Sequence, residues 1–176
     1  SVVIPNYNRE RSLSLCVAAV RAQTYPRIEV IVVDDHSTDA SVRIAKDLGL
    51  TVVSTPVNSG PPAARNIGAA HTRGEILFFL DSDVALEPDA VAAAVRALRA
   101  DPRIGALSGL LRPEPLLRLR RIQEYRAMQL HCWFYRDEGP TVGFAIHTAL
   151  FAVRRAVYDE IGPLNARLRH HDGGEY

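Results

Sequence analysis

Several kinds of chemistry lack their residues in this chain. It holds two cysteines, Cys16 and Cys132, far apart and without metal-ligand spacing, so both read as reduced, packed thiols. Six histidines are scattered along it, and none has the H-E-x-x-H spacing of a helical zinc site. His170 and His171, beside Asp172, read as part of a solvated loop. No apolar run approaches the ~20 residues of a membrane span, and no secretory leader pattern is present. Neither G-x-x-x-x-G-K-[ST] nor a G-x-G-x-x-G after the first strand-like run occurs, which removes the P-loop and dinucleotide fingerprints. A formal net charge of +1 gives no overall pull toward nucleic acid or an acidic partner.

What is present is the balance of an ordinary globular protein: 176 residues, 47% hydrophobic and 23% charged. That length suits one domain with a substantial core. The chain starts at Ser1 in a strand-like run and stops at "GGEY", and it reads as part of something longer. Apolar, β-branched runs at 1–5, 28–35, 50–55, 75–83 and 104–109 alternate with helical patterns. Leu13, Cys16, Val17 and Val20 share one helix face, as do Val91, Ala94, Val95 and Leu98. Ser37, Thr38 and Asp39 are N-cap candidates for a helix closed by Gly49. Such alternation predicts an α/β fold with a mostly parallel, Rossmann-like sheet flanked by helices. Residues 1–110 form this regular part and 111–176 a less regular one. In the latter, 115–136 reads as a long helix with five arginines among aromatic and aliphatic residues, 141–153 as a strand, and 154–162 as a short helix.

Ligands of parallel sheets bind beyond the carboxyl ends of the strands, and the unusual polar residues fall there. "PNYN" follows the first strand, "DDHSTD" ends the second and "DSD" ends the fourth. Residues i and i+2 of a strand share a side, so Asp81 and Asp83 could flank one hard divalent cation such as Mg²⁺ or Mn²⁺. Alone, the same triplet is also an Asx-type turn with solvated aspartates. Of Asp34 and Asp35, one suits bracing of a loop or helix start, and the other suits a nucleobase N–H or ribose hydroxyl. Pro5 is expected to stop the first strand, with Tyr7 a flat surface and Asn8 an amide or N-cap. Arg65, in "NSGPPAARNIGA", could reach a phosphate or base. The arginine-rich 115–136 helix is either a surface helix with one apolar face or a basic amphipathic segment touching a membrane or a phosphate-bearing acceptor.

Taken in order, these strings resemble family 2 glycosyltransferases of the GT-A fold. "SVVIPNYNR", "QTYPRIEVIVVDDHSTDAS" and "NSGPPAARNIGAAHTRGEILFFLDSDV" follow that family's pattern across about residues 1–90, and "FAVRRAVYDEIGPLNARLRH" resembles its later region more loosely. The resemblance implies an inverting transfer from a nucleotide diphosphate sugar (UDP-, GDP- or dTDP-linked) to a glycan or lipid-linked acceptor, with Mn²⁺ or Mg²⁺. It implies a place in cell-envelope polysaccharide or glycolipid synthesis, in the cytoplasm or at the inner membrane face. Pro5, Tyr7, Asn8, Asp35, Arg65, Asp81 and Ser82 would then bind the nucleotide sugar, with Asp83 the principal metal ligand and Asp81 the second.

The expected catalytic base departs from the pattern. The family supplies it from an adjacent Glu-Asp pair, where this chain reads "HHDGGEY"; Asp172 and Glu175 are the candidates. Two rivals follow. One is a GT-A domain that binds nucleotide sugar with impaired catalysis. The other is a sugar-1-phosphate nucleotidyltransferase, which the absence of a Gly-rich, Arg- and Lys-bearing segment after the first strand disfavours.

Overall fold

The computed structural model describes residues 1–109 and 149–167. Five apolar runs form strands in the expected order: β1 (Val2–Asn6), β2 (Val30–Asp34), β3 (Thr51–Ser54), β4 (Ile76–Leu80) and β5 (Ala106–Ser108). The 141–153 stretch supplies β6 (Leu150–Arg154), its earlier residues lying outside the described ones. Helices α1 (Leu13–Arg21), α2 (Ser41–Asp47), α3 (Pro61–Ala70) and α4 (Ala90–Ala100) alternate with the strands, and α5 (Arg155–Ile161) follows β6 directly. The result is a mixed α/β fold around a six-stranded sheet of order β3-β2-β1-β4-β6-β5. β3, β2, β1 and β4 are parallel neighbours, while β6 runs antiparallel between β4 and β5.

Strand alternation sorts the core onto two faces. Val2, Ile4, Val32, Phe78, Leu80 and Ala152 face α1, α2 and α4, whereas Val3, Ile31, Val33, Leu77, Phe79, Phe151 and Val153 face α3 and α5. Side chains on both faces are buried, as the continuous apolar runs require of a sheet covered on both sides. Gly68 lets α3 lie close on the sheet, since a Cβ there would come within 2.2 Å of the Val3 side chain. Two adjacent arginines fasten opposite faces. Arg154 reaches the carbonyls of Leu98, Asp101 and Ile104 at the end of α4. Arg155 reaches the carbonyls of Ala69 and Gly74 and the Thr72 hydroxyl at the end of α3. On α3, Asn66 bonds both the amide and the carbonyl of Leu164 and accepts from the Tyr158 hydroxyl.

Two local expectations change. Pro5 does not stop β1, which continues through it to Asn6. Pro5 has no N–H to donate, and on β1 the pairs with β4 end at Val3↔Phe79, while pairing with β2 continues to Asn6↔Asp34. The sheet therefore tolerates the proline where a neighbour's bond is not needed. Nor do Ser37 and Thr38 cap α2. Its N-cap is Ala40, and the Asp39 carboxylate instead accepts the Ser41 amide at 2.9 Å.

The strand order reverses between β1 and β4. β1 leads by way of β2 to β3 on one side, and β4 lies on the other. Such a reversal is the switch point at which open α/β sheets bind ligands.

Candidate functional site

The Asp81–Asp83 segment leaves β4 at this switch point. The strand stops at Leu80, and the Val84 amide donates to the Asp81 carbonyl at 3.0 Å, closing a turn. The two carboxylates thus stand on a turn, not on one side of a strand as their spacing suggested. They also have different cationic partners. Asp81 meets Arg65 Nη2 at 2.5 Å, with the arginine side chain 4% exposed and the aspartate 32%. Asp83 lies 3.5 Å from Arg9 Nε, both side chains being about half exposed. Ser82 between them is buried.

Cys16 sits beneath this turn. Its Sγ points at the Asp81 carbonyl, 3.6 Å away. Burial, then the Asp83 and Asp81 charges, push its thiol up to about 12. Both carboxylates therefore project their fields onto one buried point on α1. The thiol is packing, as the sequence indicates, and not a nucleophile.

Alternation along β2 sends its two terminal aspartates to different faces. Asp34 lies on the α1/α2 face and accepts Asn6 Nδ2 at 3.1 Å and the Ser37 amide at 3.1 Å. Asp35 lies on the α3 face and is 3% exposed. One of its oxygens accepts the Thr55 hydroxyl at 2.9 Å and the Ser59 amide at 2.8 Å, and the other accepts the Gly60 amide at 2.7 Å. Asp35 therefore fixes the loop that starts α3, where Gly60 adopts φ 88° as N-cap. Both aspartates brace the chain, where the sequence suggested that one would brace and the other would meet a nucleobase or ribose.

Asn8, expected to line a nucleotide, holds neighbouring loops together. Its Oδ1 accepts the Thr38 amide at 2.8 Å and its backbone N–H donates to Ser37 Oγ at 2.9 Å. It adopts φ 51°, and His36 in the facing loop φ 69°, left-handed conformations that cluster at functional sites. Tyr7 is 47% exposed beside it, an open aromatic face. Pro5 is buried within β1. Asp172 and Glu175, the base candidates, and the 115–136 segment lie outside the described residues.

Two buried polar atoms here have no partner among the described residues: Asn6 Oδ1 and Arg65 Nε. The Asn6 amide is oriented by its contacts, because Nδ2 must be the atom facing the Asp34 carboxylate. Buried orphans of this kind are costly unless something bonds them. Asn6 and Arg9 carry no role in the sequence reading although both stand in "SVVIPNYNR"; the available signal was a cation, Arg9, just after the first strand, on the sheet edge that also holds "DSD". Among the described residues no group of three His, Cys, Asp or Glu could cage a metal ion, and no helix is long and apolar enough to cross a membrane.

Residues 1–162 match the family described as Glycosyl transferase family 2. The chain belongs to that family. An uncharacterized glycosyltransferase of Haemophilus influenzae is 42% identical over 88 residues, covering 47% of this chain and 35% of that protein. The family 2 chain superposes on the mannosyltransferase PcManGT from Pyrobaculum calidifontis, solved with GDP-Man and Mn²⁺, with a TM-score of 0.74 and 27% identity over 94% of this chain and 47% of the other. Glucosyl-3-phosphoglycerate synthase from Mycobacterium tuberculosis, solved with Mn²⁺, UDP and phosphoglyceric acid, gives 0.61 and 25% over 88% and 55%. The chain thus spans about a third of that curated relative and about half of these solved chains. The sheet is that of the GT-A glycosyltransferases.

Proposed function

We propose that the chain carries the donor half of an inverting glycosyltransferase that moves a sugar from a nucleotide diphosphate sugar to an acceptor hydroxyl, with a divalent metal. The observation that carries this reading is the turn bearing Asp81 and Asp83 at the strand-order reversal of a family 2 chain. The GDP-Man, UDP and Mn²⁺ with which the similar proteins were solved support it.

The residues fit a hard cation. Asp83 offers a half-exposed carboxylate and Asp81 stands two residues before it. Mg²⁺ and Mn²⁺ are commonly held by one or two carboxylates completed by phosphate oxygens and water, consistent with no three-ligand cage among the described residues. When bound, such an ion would neutralise charge on the departing diphosphate. The chain's own residues do the rest. Arg65 holds Asp81 against α3, and Asp35 fixes the loop before it. Tyr7 offers a face for a base or sugar. Asp172 or Glu175 would deprotonate the acceptor hydroxyl for direct displacement. The acceptor would be a glycan or a lipid-linked saccharide, with 115–136 as a membrane contact.

The test is nucleoside diphosphate release from a panel of UDP-, GDP- and dTDP-sugars with Mn²⁺ and candidate acceptors. Release that vanishes in Asp83→Asn supports the reading. Nucleotide binding without release on any acceptor favours a binding domain, and pyrophosphate release from a nucleoside triphosphate favours a nucleotidyltransferase.

A further inference from the structure

Arg9 is a cation with a fixed root and a movable head. Its amide donates to Ser41 Oγ at 3.1 Å, and its carbonyl accepts the amides of Ser12 and Leu13 at 3.1 and 3.0 Å. The preceding residue, Asn8, is locked to Thr38. The side chain, by contrast, is 44% exposed and makes a long, 3.5 Å contact with Asp83. Arg65 is the opposite case, a buried guanidinium fastened to Asp81 at 2.5 Å. The two carboxylates of the turn therefore carry one permanent and one releasable counter-charge.

A releasable cation on Asp83 competes with any metal ion for that carboxylate. Its guanidinium has five donors in a planar fork suited to two phosphate oxygens, and it sits within side-chain reach of whatever binds at Asp83. We infer that Arg9 couples metal binding to diphosphate binding: it holds Asp83 in the empty site, yields it to the divalent cation, and is recaptured by the diphosphate of the donor. This rests on the metal reading of Asp83 given above. A cation arriving alone must displace Arg9 into water, whereas one arriving with a diphosphate lets the guanidinium exchange one anion for another. Metal and nucleotide then assist each other through Arg9, reciprocally, as linkage requires.

The experiment is Mn²⁺ titration of the full chain by electron paramagnetic resonance, alone and with UDP or GDP, in wild type, Arg9→Gln, Arg9→Lys and Asp83→Asn. Removing one charge from a half-exposed pair should tighten Mn²⁺ binding in Arg9→Gln by about three- to tenfold. The factor by which UDP or GDP tightens Mn²⁺ should shrink in the same variant. Arg9→Lys, which keeps the charge, should leave Mn²⁺ affinity near wild type. Unchanged or weaker Mn²⁺ binding in Arg9→Gln, with binding still lost in Asp83→Asn, overturns the coupling while leaving the metal site standing. Mn²⁺ binding undiminished in Asp83→Asn removes the metal reading and the coupling with it.

Discussion

Arg65 and Asp81 form a lopsided ion pair: the guanidinium is almost wholly buried, while about a third of the carboxylate faces solvent. Their separation of 2.5 Å makes them a single unit, but the two ends differ in what they lose when the partner is removed.

Removing the carboxylate strands a buried cation, and removing the cation leaves a carboxylate that water can reach. Asp81→Asn should therefore cost about 2–4 kcal/mol, and Arg65→Met, which fills the same space with an apolar chain, about 1–2 kcal/mol. Urea denaturation of both variants measures the difference. Equal costs, or a larger cost for Arg65→Met, would show that the pair is not desolvated from the arginine side.

Cys16 provides a pH test of the environment beneath the turn. Burial, followed by the Asp83 and Asp81 charges, raises its thiol from about 9 to about 12. In the folded protein it should resist a thiol reagent at pH 8 and react once the chain unfolds, best seen in a Cys132→Ser background. Because the folded value is the higher one, the unfolded chain loses this proton first. The thiol's contribution is whole below about pH 9 and is lost as pH rises from there toward about 12. Between pH 8 and 10 wild type should lose about 1 kcal/mol more stability than Cys16→Ala. Parallel curves for the two proteins would contradict the assignment.

Periodicity made the regular part of the fold legible, and pairing was what it could not convey. The runs at 1–5 and 28–35 became the buried strands β1 and β2 because continuous apolar residues suit strands covered on both faces, whereas 50–55 became β3 at the edge of the sheet, only partly buried. The strand drawn over 75–83 overreached: β4 ends with the apolar residues at Leu80, and Asp81–Asp83 leave it in a turn. Nothing in the spacing of 150–154 tells that β6 inserts antiparallel between β4 and β5, a choice made by long-range contacts. At the site, the acidic positions could be located from the strand ends, but their partners could not. Asp35 accepts the Thr55 hydroxyl and the amides of Ser59 and Gly60, and Asn8 accepts the Thr38 amide, bonds that no residue pattern announces. Arg65 was legible as a reaching cation; that it reaches Asp81 depends on α3 packing against β1 through Gly68.

Arg154 and Arg155 are neighbours that should behave as strangers. One ties down the carbonyls ending α4 and the other those ending α3, on opposite faces of the sheet. Each alanine substitution should cost about 1–3 kcal/mol by stranding carbonyls and losing charge-assisted bonds. The double variant should equal the sum within about 0.5 kcal/mol. A coupling well beyond that, in chemical denaturation, would mean that the two helix ends are not independent.

The donor site itself is tested most directly by thermal unfolding of the chain with UDP, GDP and dTDP, each with and without Mn²⁺, in wild type and in Asp83→Asn. A ligand of the folded state stabilises by mass action, about 2.7 kcal/mol at a hundred times its dissociation constant, or about 5–10 °C for a domain of this size. The account predicts a rise of that order for at least one nucleoside diphosphate, larger with Mn²⁺ than without, and loss of the Mn²⁺-dependent part in Asp83→Asn. No rise with any of the three, in the presence of Mn²⁺, would contradict it.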